Sequence, residues 1–91
     1  MKVYELLDSP EKWVQGVEAK NPDGKSVSPH DKDACSWCLF GALQKCYLEN
    51  GYLRACHMVR EHLKSPWIST WNDEPERKFD DIIGLCKELN I

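Results

Sequence analysis

The segment Ala34-Cys35-Ser36-Trp37-Cys38-Leu39-Phe40-Gly41-Ala42-Leu43-Gln44-Lys45-Cys46-Tyr47 decides the fold class. At about 100° per residue its apolar side chains cover nearly the whole circumference of a helix, and only Ser36, Gln44 and Lys45 are polar. A helix that is apolar all round must be covered on every side, so this stretch predicts a buried central helix. Gly41 within it costs roughly 1 kcal/mol against Ala, which predicts a close approach by another element at that point. Asp31 and Asp33 are the candidate N-caps, and Asn50-Gly51 is the candidate stop.

Amphipathic elements flank this segment on both sides. Residues 2–8 place Val3, Leu6 and Leu7 on one face of a short helix, and Ser9-Pro10 can end it and begin another turn. Residues 13–20 alternate weakly, Asn21-Pro22-Asp23-Gly24 has Pro and Gly where a type I turn needs them, and Lys25-Ser26-Val27 can return. This pattern predicts a small β-hairpin near residues 13–27. Residues 52–64 carry a stripe of Tyr52, Cys56, Val59 and Leu63, and residues 78–89 turn Phe79, Ile82, Ile83, Leu85, Cys86 and Leu89 inward. Between them, residues 66–76 read as an irregular, tryptophan-rich segment bounded by Pro66 and Pro75. The expectation is a mainly α fold: about four helices bundled around the central one, a small hairpin, and a single domain over residues 1–91.

Composition limits the function classes. Hydrophobic residues make up 42% and charged residues 30% of 91, which is ordinary for a folded domain and too apolar for a disordered one. The net charge of −3 argues against direct nucleic-acid binding, which rests on neutralising phosphates. The longest apolar run, Cys38 to Leu43, is too short to span a bilayer. Met1-Lys2-Val3-Tyr4-Glu5 carries no apolar signal segment, and five cysteines lack a disulfide-scaffold pattern. Free thiols in the cytoplasm are therefore expected.

Several groups could carry chemistry. Cys35 and Cys38 form a C-x-x-C, the spacing used by zinc and dithiol sites. Cys46 lies eight residues beyond Cys38, roughly 12 Å along a continuous helix, so it cannot complete a tetrahedral site there. The cysteines are read as small buried apolar residues, with no metal and no cofactor expected. Cys38 with a histidine and Asn72 or Asp73 has the residue types of a thiol enzyme, although such matches arise cheaply by chance. Arg54, His57, Arg60 and Lys64 form a basic helix face, interrupted by Glu61, that can hold a phosphate or an acidic partner or simply face solvent. Trp71-Asn72-Asp73 combines an aromatic platform with two side chains able to bond backbone amides. A structural role is favoured for it over recognition, packed against Trp37 and Cys38. These five residues, Trp37, Cys38, Trp71, Asn72 and Asp73, are the candidate binding residues.

Trp13-Val14-Gln15-Gly16, Trp37-Cys38-Leu39-Phe40-Gly41-Ala42-Leu43 and Trp71-Asn72-Asp73, in this order, resemble a family of small bacterial and bacteriophage proteins defined only as a domain of unknown function. The resemblance spans roughly Trp13 to Leu89. It implies a helical fold in which Trp37, Cys38, Gly41, Trp71, Asn72 and Asp73 belong to one structural unit, and it brings no activity. The reading reached from sequence is a small non-enzymatic factor with a protein partner, acting on a host process such as a defence system if phage-encoded. The alternative is a small enzyme or metal-binding protein using Cys38 with Asn72 and Asp73.

Overall fold

Helices and short extended segments alternate along the chain in a computed structural model that describes residues 1–91. Five α-helices are present: α1 (Val3–Leu6), α2 (Leu39–Cys46), α3 (Glu49–Leu63), α4 (Ile68–Asn72) and α5 (Phe79–Leu89). A single tighter turn covers Pro10–Lys12, with Pro10 at its first position, so Ser9-Pro10 acts as the break it was read to be. Two short strands, β1 (Ala19–Lys20) and β2 (Ser36–Trp37), pair antiparallel. The mainly α class with a small β-hairpin is what the sequence predicts.

The central helix is α2, with Leu39, Gly41, Ala42 and Leu43 buried. It packs against α1, α3, α4 and β2, while α5 packs against α1. One cluster of 15 buried residues, drawn from both ends of the chain and the middle, forms the core. The chain closes on itself at Ile91, whose carbonyl accepts from the Val3 amide and, at 2.7 Å, from the Tyr47 hydroxyl. No helix is long and apolar enough to cross a membrane.

Four local expectations need correction. The helix does not run from Ala34, because residues 34–38 are not helical and Ser36–Trp37 within them form β2. Backbone pairing wins there: the Cys35 amide donates to Lys20 O and the Cys38 amide to Glu18 O, at 2.8 and 3.1 Å. Helical propensity is a weak prior against such tertiary bonds. Asp31 accordingly caps no helix, and its carboxylate instead accepts from the Asp33 amide at 2.8 Å.

The Asn21–Gly24 turn forms as read, with Gly24 at φ 78° and its amide donating to Asn21 O at 2.9 Å. Beyond it the return strand is reduced to one bridge, Lys20 to Ser26, and the main partner of β1 is β2. Residues 13–17 are not a strand; Trp13 makes an isolated parallel bridge to Trp37. Asn50 and Gly51 do not end α2. They lie in the first turn of α3, and the break falls at Tyr47 and Leu48, both extended. Finally, the segment after Pro66 is not wholly irregular, since Ile68–Asn72 form α4 and bury Ile68 and Asn72.

Gly41 meets the expectation placed on it. A Cβ at this position would collide with the Glu18 carbonyl, which lies directly against the helix. The same carbonyl accepts from Cys38, so the strand leading into β1 is seated on the first turn of α2.

Candidate functional site

The three sequence segments singled out above converge at the N-terminus of α2. A helix leaves its first amides without intrahelical partners. At α2 two side chains supply them. Cys38 is the N-cap, and its Sγ accepts from the Gly41 amide at 3.2 Å. Asn72, fully buried at the end of α4, accepts from the Leu39 amide through Oδ1 at 2.9 Å.

Asn72 does more than cap. Its Oδ1 also accepts from the Trp13 indole Nε1 at 2.7 Å, and its Nδ2 donates to Val14 O at 3.1 Å and to Asp73 Oδ1 at 2.9 Å. An amide side chain has two lone pairs and two N–H groups, and all four are used. The orientation is fixed, since a flipped amide would set its NH₂ against two donors. Asp73 Oδ1 receives the Gly16 amide at 2.9 Å, where Gly16 takes φ 85°. Gln15 Nε2 donates to both Asn72 O and Glu74 O, each at 2.9 Å. Residues 13–16 are thus a strap laid across α4 and clipped to it at every residue.

Trp37 lies in the same neighbourhood, buried, with its Nε1 donating to Pro29 O at 3.0 Å. Trp71 is half-buried, and the Arg77 guanidinium stacks 4.0 Å from its ring centre while Arg77 Nε donates to Trp71 O at 2.9 Å. Trp37, Cys38, Asn72 and Asp73 therefore sit around one junction, while the Trp71 ring lines a separate recess with Arg77, His62 and Leu85. Asn72 is the buried hub of the junction, whereas Asp73 is exposed and joins the hub to the outer end of the strap at Gly16. Trp13, Gln15 and Gly16 complete the junction. The Trp13–Gly16 signal was present in the sequence, but its alternation read as a strand.

The chemistry available here is limited by burial. Desolvation pushes the Cys38 thiol above its ordinary pKa; the Gly41 and Phe40 amides oppose this in part, and the charges of Asp73 and Glu18 add smaller upward effects. A nucleophilic cysteine needs the opposite environment. Asn72 is committed to its four bonds. The histidines lie elsewhere: His57 beside Glu61 at 3.7 Å and His62 beside Glu88 at 3.6 Å, with His30 exposed near Tyr47. No three His, Cys, Asp or Glu side chains converge as a metal ion requires. All five cysteines are free thiols, Cys35 exposed and Cys38, Cys56 and Cys86 buried.

A second feature lies on the far side of α4. Trp67 is 68% exposed, the largest apolar side chain on the surface. With Phe40, Arg60, Pro66 and Ile68 it lines a groove of about 210 Å³. Arg60 Nε holds Pro66 O at 3.1 Å, which fixes the link between α3 and α4 beneath the tryptophan. The neighbouring Ile68, by contrast, is buried in the core where α4 packs on α2.

Fold and junction together define a small helical domain in which an N-terminal strap is clipped to a Trp-Asn-Asp turn beside a buried helix N-terminus. The chain matches the family of unknown function DUF6197 over residues 2–89, and it belongs to that family. No curated protein and no solved structure matches it.

Proposed function

We propose that this protein is a non-enzymatic interaction factor that works in the cytoplasm by binding another protein. The observation that carries the reading is the exposure of Trp67. Burying a tryptophan contributes on the order of 2–3 kcal/mol, and tryptophans dominate the energetics of protein interfaces. A small domain that leaves one 68% exposed, over a groove, forgoes that stabilisation unless a partner supplies it. The Trp71-Asn72-Asp73 turn, by contrast, has its polar groups engaged within the chain, so its role is to hold the fold that presents Trp67. The raised pKa of Cys38 disfavours the alternative of a thiol enzyme.

Trp67→Ala is expected to leave the thermal melt within a degree or two and to abolish co-purification of the native partner from the cells that make the protein. Retention of the partner by this variant would remove the basis of the reading. The narrower version places the protein in a phage-infected cell and directs it at a host process such as defence. Phage plating on cells with and without the protein tests this version, and equal plating efficiencies would end it.

A further inference from the structure

The basic face of α3 and the exposed Trp67 form one continuous surface. Leu53, His57 and Arg60 recur at intervals of four and three residues, so they form a single stripe along α3, and Lys64 follows at its C-cap. Leu53 is 62% exposed at one end of it. At the other end Arg60 and Lys64 line a shallow recess with Glu61, Ser65 and Pro66, and Arg60 and Pro66 also line the groove under Trp67. Glu61, which interrupts this face in the sequence, stands roughly a quarter-turn off the stripe. There it reaches His57 at 3.7 Å. Between two large exposed apolar side chains the surface thus carries Arg60 and Lys64 against the single carboxylate of Glu61, which is turned toward His57, on a molecule whose net charge is −3. From Leu53 to Lys64 it runs roughly 16 Å at 1.5 Å per residue.

We infer that this surface docks an acidic segment of a partner protein, with Asp or Glu side chains along the stripe and apolar side chains seated against Leu53 and Trp67. The inference rests on the interaction reading above and specifies its site and partner chemistry. Charge complementarity selects the occupant, since opposite potentials steer encounter and fix register. Two apolar anchors at the ends of the stripe match a peptide segment better than a polyphosphate backbone, and the net negative charge of the whole chain repels nucleic acid.

The test is photo-crosslinking of the full chain in the cells that make it. A crosslinking residue is placed in turn at Leu53, at Trp67, and at two exposed controls, Asp23 and Glu88. Mass spectrometry of the adducts identifies the segment captured. The expected result is one protein segment rich in Asp and Glu with apolar residues among them, captured from positions 53 and 67. Lys64→Glu should reduce that yield at least tenfold, and Lys25→Glu, an equal charge change in the distant turn, should not. Adducts to a basic segment, to nucleic acid or to a second copy of the chain would overturn the inference. Protein adducts from positions 23 or 88 alone would overturn it while leaving a protein partner standing. No protein adduct from any of the four positions would overturn both readings.

Discussion

Asn72 shows how much one residue can carry in a 91-residue chain. Replacing it with Ala strands the Leu39 amide, the Trp13 indole N–H and the Val14 carbonyl, all of which it now satisfies. Each unpaired buried group costs about 1–3 kcal/mol. Asn72→Ala is expected to lose about 3–5 kcal/mol in denaturant unfolding, a large share of a small domain's total. Asp73→Ala should lose less, about 1–2 kcal/mol, because it frees one Asn72 N–H while the Gly16 amide it also releases can reach water. Equal losses for the two would contradict the hub role. The sequence offered Asn72 and Asp73 as side chains able to bond backbone amides, in a segment expected to pack beside the central helix. It could not rank Asn72 above Asp73, since burial of one neighbour and exposure of the next depends on how α4 ends. Nor could it show that the Trp13–Gly16 strap is the partner, because the two segments lie 57 to 59 positions apart.

Two glycines inside helices separate local preference from packing at the scale of the element. Gly41 in α2 faces the Glu18 carbonyl, whereas a Cβ at Gly84 in α5 would meet nothing within 4 Å. Gly84→Ala should therefore stabilise the protein by about 0.5–1 kcal/mol, the ordinary helix preference for alanine. Gly41→Ala should destabilise it by about 1–3 kcal/mol, as overpacking does. Thermal melts of the two variants should move in opposite directions, and a shared direction would contradict the close approach. That approach was legible from an out-of-place glycine in an apolar helix. The start of the same helix was not, because pairing of Ser36 and Trp37 with a strand some 17 residues earlier draws the segment out of helical geometry. The true break before α3 was hidden for a similar reason. Tyr47 and Leu48 carry no turn signal, and Tyr47 is held extended while its hydroxyl reaches Ile91.

Across the whole molecule, the hydrophobic pattern located four of the five helices, because an apolar face recurs every three or four residues whatever it packs against. The fifth, α4, has five residues and too few turns to show a period. The same burial that forms the core sets an alkaline limit on stability. Desolvation raises Cys46 to about 11 and Cys86 to about 12, from an ordinary 9.0. Between those values the unfolded chain releases protons that the folded chain retains, so stability is full below about pH 9 and falls as pH rises toward 12. The melting temperature should decline across this window, and more gradually in Cys86→Ala, which removes the larger shift. A flat profile from pH 8 to pH 11 would show that these thiols do not resist ionisation.

The shared acceptor at Asn72 Oδ1 has a consequence for solvent exchange. A first-turn helix amide usually trades its hydrogen for deuterium early, through fraying at the helix end. The Leu39 amide is bound to the same oxygen as the Trp13 indole, and that oxygen is released only when the strap, α4 and the start of α2 separate together. These two protons, 26 positions apart in the chain, should exchange slowly and at similar opening free energies, with the core rather than with the helix ends. The pair would serve as an internal gauge of global opening, readable in one nuclear magnetic resonance experiment as two signals that fade together.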